Sequence, residues 1–190
     1  MRRHIAYMMC VFSLCAATMS GAAPTRAEGT SQTAAGKSAA PAAAEQHCVD
    51  RPKQPLECFK TEAEALYAAS GGRIRLPEGG SARSLSDEEL FGTAGSEGTE
   101  DTTSTIQAIL YKDADYGGAS LSIVSDTCSG WNNLSSTWND VTSSARVSSG
   151  CNLTLYEHTN LGGSSLSISP PGTTYVGNTM NDKTSSWALP

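Results

Sequence analysis

Two six-residue stretches of this 190-residue chain concentrate side-chain oxygen: Asn139-Asp140-Val141-Thr142-Ser143-Ser144 and Asn181-Asp182-Lys183-Thr184-Ser185-Ser186. Each places one amide, one carboxylate and three hydroxyls on a segment that Asn and Asp bend into a turn through hydrogen bonds to neighbouring backbone. A single copy reads equally well as a structural turn. Recurrence of the whole oxygen set at matched positions points instead to a hard cation. Flexible oxygen-lined loops suit Ca²⁺ better than Mg²⁺.

The loops lie inside a longer repeat. Residues 109–123 (ILYKDADYGGASLSI) set over 154–168 (TLYEHTNLGGSSLSI) at an offset of 45 give eight identities in fifteen positions, and the oxygen-rich loops match at an offset of 42. Gly117-Gly118 and Gly162-Gly163 supply the positive φ needed to fold a hairpin back on itself, and Tyr111 with Tyr116 can cover the first of these hairpins. Strand-forming segments are expected at 108–112, 120–125, 146–149, 152–157, 165–169 and 174–176, separated by Gly, Asn and Asp turns and showing no helical period. Two copies with roughly four strands each imply duplicated Greek keys around one core, an all-β sandwich.

On these residues, 106–190 resembles the microbial βγ-crystallin domains. The hairpin signature of that family, aromatic-x4-aromatic-x-Gly, is met by Tyr111, Tyr116 and Gly118; the second copy has Tyr156 and Gly163 but Leu161 in place of the second aromatic. The family's calcium motif, Asn/Asp-Asn/Asp-x-x-Ser/Thr-Ser, is met at every position in both copies. The resemblance implies a βγ-crystallin-type double Greek-key β-sandwich with two Ca²⁺ sites at one end, each built from both halves. Carried over by position, Ser143 and Ser185 would give hydroxyl ligands, and Asp140 and Asp182 carboxylates. Val141, Lys183, Lys112 and Glu157 would give backbone carbonyls. Asn139 and Asn181 would mainly brace the turns, with one able to ligate. So few formal charges per site imply modest affinity, roughly micromolar to millimolar.

Outside this region the composition is that of a tether. The whole chain is 38% hydrophobic and 6% aromatic with 18 glycines, thin for one globule of this length. Met1-Arg2-Arg3-His4, an apolar run to about residue 17 and small residues up to Ala27 have the order of a secretory signal peptide, cleaved after residue 27; the run is shorter than the ~20 residues of a membrane span. Residues 28–46 are expected to be a disordered spacer. Residues 47–75 are expected to be a small hairpin-helix unit, with Thr61 and Glu64 forming a capping box. Residues 76–105 are expected to be an acidic flexible linker, with seven acids against one base between Glu78 and Asp101. The remaining cysteines, Cys48, Cys58, Cys128 and Cys151, permit three pairings, of which Cys48–Cys58 and Cys128–Cys151 stay within compositional blocks. The absence of any CxxC spacing argues against a zinc site.

These features rank the functions. A net charge of -6 leaves no basic stripe for nucleic acid. No GxSxG, HExxH or P-loop pattern is present, and His47 and His158 lie far apart, so no enzyme is expected. The leading expectation is a secreted, monomeric calcium-binding protein with a structural or interaction role. Its rival is a metalloproteinase inhibitor of crystallin-type fold, acting on a secreted protease through the 128–138 loop. An antimicrobial or toxin-like protein acting on a cell-surface component comes third. Trp138, Trp187, Tyr111 and Tyr156 are expected in core and hairpin-cover positions rather than on a sugar platform, and Asn133 and Asn152 open glycosylation sequons.

Overall fold

The computed structural model describes residues 45–51, 53–92 and 105–190. The signal segment, most of the spacer and residues 93–104 of the linker lie outside the described residues. The elements run β1 (His47–Asp50), β2 (Glu57–Phe59), α1 (Glu62–Ala69), α2 (Asp87–Phe91), β3 (Thr105–Asp113), β4 (Gly117–Ser125), β5 (Gly130–Asn133), β6 (Ser144–Val147), β7 (Leu153–His158), β8 (Gly162–Ile168), β9 (Gly172–Thr173) and β10 (Ser186–Leu189). Among the described residues, no helix is long and apolar enough to cross a membrane.

Two sheets form, in the orders β2-β1-β4-β3-β6-β9 and β5-β10-β7-β8. The third strand of each repeat crosses over: β5 pairs with β10 in the second repeat's sheet, and β9 pairs with β6 in the first repeat's sheet. Neither half therefore completes its sheet alone, which is the double Greek-key arrangement expected of the duplication. Alternation along the strands sends Ala108, Leu110, Leu121 and Ile123 from one sheet, and Leu153, Leu155, Trp187 and Leu189 from the other, into a shared core. Trp138 and Met180, at matched repeat positions, are both buried there.

The hairpins fold back as the glycine pairs require. Gly118 has φ 68° and a Cβ there would lie 2.6 Å from Asp113 Oδ2; Gly163 has φ 75° and its Cβ would lie 2.9 Å from His158 Cδ2. Tyr111 and Tyr116 stack tilted with ring centroids 5.6 Å apart.

Three expectations need correction. Strands β5 and β10 were not foreseen, and the 174–176 strand is displaced to Gly172–Thr173; pairing between the halves, rather than local alternation, creates these short strands. The hairpin-helix segment forms as expected, with Cys48 opposite Cys58 in a disulfide and Thr61 and Glu64 bonded reciprocally, but it is not a unit of its own. Strand β1 adds in parallel to β4, pairing Cys48 with Leu121 and Asp50 with Ile123. Residues 76–92 are not a solvated linker. Ala82, Leu90 and Phe91 are buried, because they close a second apolar cluster with α1, Ile74 and the outward side chains Val49, Ile106, Ile109, Tyr111 and Val124. Helix α2 has its own capping box, Ser86 with Glu89. Arg146 reaches outward to the carbonyls of Ala82 and Leu85 and to the Asp87 carboxylate.

The first sheet is therefore buried on both faces, whereas the outer face of the second keeps Trp131, Ser165 and Ser167 exposed beside the buried Thr154 and Ser186. Register places two transverse rows on that face: Trp131–Ala188–Thr154–Ser167 and Asn133–Ser186–Tyr156–Ser165. At one side the sheets are tied by Asp50, whose carboxylate accepts from Trp187 Nε1 at 3.3 Å and Asn132 Nδ2 at 3.2 Å. The second disulfide, Cys128–Cys151, anchors the β5 approach.

Candidate metal-binding loops

The two oxygen-rich loops lie against each other because each continues the other's backbone pairing. The Asp140 N–H donates to the Thr184 carbonyl at 2.9 Å, and the Asp182 N–H donates to the Thr142 carbonyl at 3.2 Å. Both aspartates sit in the left-handed region, φ 58° and 55°, a conformation that Asp tolerates in tight turns. Ser143 N–H donates to the Tyr111 carbonyl and Ser185 N–H to the Tyr156 carbonyl, each at 2.9 Å. Lys112 and Glu157 are the next residues along those two strands, so each hairpin start borders the serine of its own repeat.

The exchange mixes the halves. Asp140 comes beside Ser185, whose hydroxyl donates to Asp140 Oδ1 at 3.4 Å. On the other side the Asp182 backbone meets the Thr142 carbonyl, next to Ser143 in the chain. Asn139 and Asn181 turn their amides onto the carboxylate that follows, at 2.6 and 2.7 Å. Both aspartates are exposed at the surface, while Ser143 and Ser185 are buried at its edge. Val141 is half-buried against the core and Lys183 is exposed. The Lys112 ammonium lies over the Trp138 ring, 5.3 Å from its centroid. Glu157 directs its carboxylate to the Ser164 N–H at 3.3 Å; hydrogen bonding by Ser164 holds its pKa below the ordinary carboxylate range. Its side chain is thus occupied, leaving its carbonyl as the donor suggested by position.

Two roles were missed in the sequence. The last serine of each motif is a clamp: Ser144 Oγ donates to the Asp113 carbonyl at 2.6 Å and accepts from the Tyr116 N–H, and Ser186 does the same to His158 and Leu161. The threonines Thr142 and Thr184 are fully buried and supply the carbonyls through which the loops interlock. Their identity in both copies was the available signal.

Among the described residues, no three of His, Cys, Asp and Glu cluster as they would for a transition metal. Each loop pairing instead offers one carboxylate, one hydroxyl and backbone carbonyls, a donor set that fits a hard cation.

The model of peptidase inhibitor family I36 matches residues 110–168. Among solved structures, the chain is similar to a βγ-crystallin domain from Clostridium beijerinckii, at 33% identity over 44% of this chain and 95% of that one, with a TM-score of 0.39. It is similar to a βγ-crystallin domain from Flavobacterium johnsoniae at 30% identity, over 44% and 92%, with a TM-score of 0.36. A βγ-crystallin from an Archaea follows at 25% identity, over 45% and 98%, with a TM-score of 0.38. No curated protein matches the chain.

Proposed function

This chain belongs to the βγ-crystallin family through its C-terminal half, and from that premise we propose that it is a secreted, non-catalytic protein whose two interlocked loops each take up one Ca²⁺ ion. The observation that carries the proposal is the cross-half exchange, which sets the Asp140 carboxylate beside the Ser185 hydroxyl of the other repeat. In this reading Asp140, Ser185 and the carbonyls of Val141 and Glu157 form one ligand set. Asp182, Ser143 and the carbonyls of Lys183 and Lys112 form the other. One formal negative charge per set keeps the affinity modest. The ion supplies a fixed positive charge between the halves, so binding favours the folded state. Pairing of all four described cysteines in two disulfides supports an oxidising compartment.

At free Ca²⁺ about 100 times Kd, linkage adds about 2.7 kcal/mol per site to stability. Thermal unfolding of the full chain in millimolar Ca²⁺ is therefore expected several degrees above unfolding in chelator. Coincident melts would reject the reading.

A second reading is favoured by one observation, the match of residues 110–168 to a peptidase inhibitor family. The Cys128–Cys151 disulfide holds the start of the segment that carries exposed Trp131, as a rigid inhibitory loop would need. Assay against a thermolysin-like protease decides it: no inhibition at micromolar protein removes this reading.

A further inference from the structure

We propose that the cleft between β1, the start of α1 and the β3–β4 hairpin binds a small zwitterion carrying both an ammonium and a carboxylate, a free α-amino acid being the simplest. The cleft measures about 390 Å³, and Glu45, His47, Lys60, Glu62, Arg83 and Gly117 are among the residues lining it. Three of these side chains are held in place and keep bonding capacity that nothing among the described residues uses. Glu62, the first residue of α1, is only 8% exposed, and its enclosed Oε1 accepts no hydrogen bond. A buried carboxylate oxygen left unbonded is costly, and the twofold torsion of the group lets either oxygen face the cleft. His47 is buried on β1 with Nδ1 bonded to the Ser120 hydroxyl at 2.9 Å, which leaves Nε2 without a partner. Arg83 is pinned to the hairpin, its Nε donating to the Tyr116 carbonyl at 2.8 Å, while its Nη groups have no partner. Gly117 makes the room for that guanidinium, since a Cβ there would lie 2.5 Å from Nη2; its counterpart Gly162 faces only its own turn.

Charge selects the ligand. Two carboxylates, Glu45 and Glu62, share the cleft with two cations, Lys60 and Arg83, so an ion of either sign alone meets a like charge there. A transition metal is disfavoured as well, because no three of His, Cys, Asp and Glu cluster among the described residues. A ligand bearing both charges satisfies both sides. Its ammonium donates to the Glu62 carboxylate and, with the ring proton on Nδ1, to His47 Nε2. Burial lowers the His47 pKa and so keeps the ring neutral at pH 7. The ligand's carboxylate accepts from the Arg83 Nη groups, a planar fork matched to two carboxylate oxygens, with Lys60 beside them. None of these residues belongs to either proposed calcium set.

Calorimetric titration of the full chain in chelator tests this, using a panel of free α-amino acids with simple amines and simple carboxylates as controls of single charge. Expected is saturable binding of at least one amino acid with Kd below about 1 mM, at least tenfold tighter than any control. Glu62→Gln and Arg83→Met should each weaken it at least tenfold. Gly117→Ala should also weaken it, because the added methyl displaces the guanidinium while the backbone, outside the left-handed region at this residue, accepts alanine. Absence of binding across the panel, a control that binds as tightly, or undiminished binding in Glu62→Gln, Arg83→Met or Gly117→Ala would overturn the proposal.

Discussion

The two repeats share a backbone plan but not an environment. In the first, Ile106, Ile109, Tyr111 and Val124 point outward into a second apolar cluster closed by α1, Ala82, Leu90 and Phe91, and Arg146 reaches out to Ala82, Leu85 and Asp87. In the second, Thr154 and Ala188 hold the matched positions, Ser167 beside them is exposed, and no apolar cluster among the described residues packs on that face. The inward positions and the metal-candidate loops remain alike in both. Duplication thus preserved what the shared core and the loop exchange require, and the outer faces diverged. Antiparallel sheets ordinarily solvate one face; the first sheet here is an exception created by the segment that precedes it.

Removing residues 45–92 should have the largest effect. It bares the outward apolar side chains and the free edge of β4, and should lower stability by at least about 5 kcal/mol, a large share of what a domain this size possesses. Urea unfolding and dye binding of the shortened chain would show it; a midpoint equal to the full chain's would break the comparison. Exchange of matched residues comes next. Ile109→Thr should cost about 2–4 kcal/mol by leaving a small polar group in a packed cluster, while Thr154→Ile should stay within about 1 kcal/mol. Equal costs would mean that the outer faces are energetically equivalent. The clamping serines probe the shared part: Ser144→Ala and Ser186→Ala should each cost about 1–3 kcal/mol, and by similar amounts.

The smallest expected effect is a pH dependence confined to the first half. Burial against β4 lowers the His47 pKa below 6.5, with Glu62 and Glu45 partly countering it. The unfolded chain then takes up a proton more readily, so stability declines as pH falls from 6.5 toward the folded value. His47→Gln should flatten that slope in pH-dependent denaturation; an unchanged slope would assign it elsewhere.

Much of this was legible in the sequence, and the failures have specific causes. The repeat placed both hairpins, the loops and the burial of Trp138. The difference between Ile106-Gln107-Ala108-Ile109-Leu110-Tyr111, with hardly a polar break, and the alternating Leu153-Thr154-Leu155 was also present in the sequence; it marks burial on two faces against burial on one. Ser86-Asp87-Glu88-Glu89 before Leu90-Phe91 is a capping box followed by a buried apolar pair, but counting the surrounding acids hid it. Strand β5 could not be read, because Gly-Trp-Asn-Asn has no alternation of its own and becomes a strand only by pairing with β10. The partnership of Asp140 with Ser185 depends on that same exchange between halves, which no local pattern encodes.

The central claim is that each loop holds a calcium ion with ligands from both repeats. Calorimetric Ca²⁺ titration of the full chain tests it most directly, comparing wild type with Asp140→Ala, Ser185→Ala and the Asp140→Ala/Asp182→Ala double variant. The account predicts two sites in the wild type, loss of the same single site in Asp140→Ala and in Ser185→Ala although they lie in different repeats, and no binding in the double variant. Undiminished binding in the double variant, or loss of different sites in the two single variants, would contradict it.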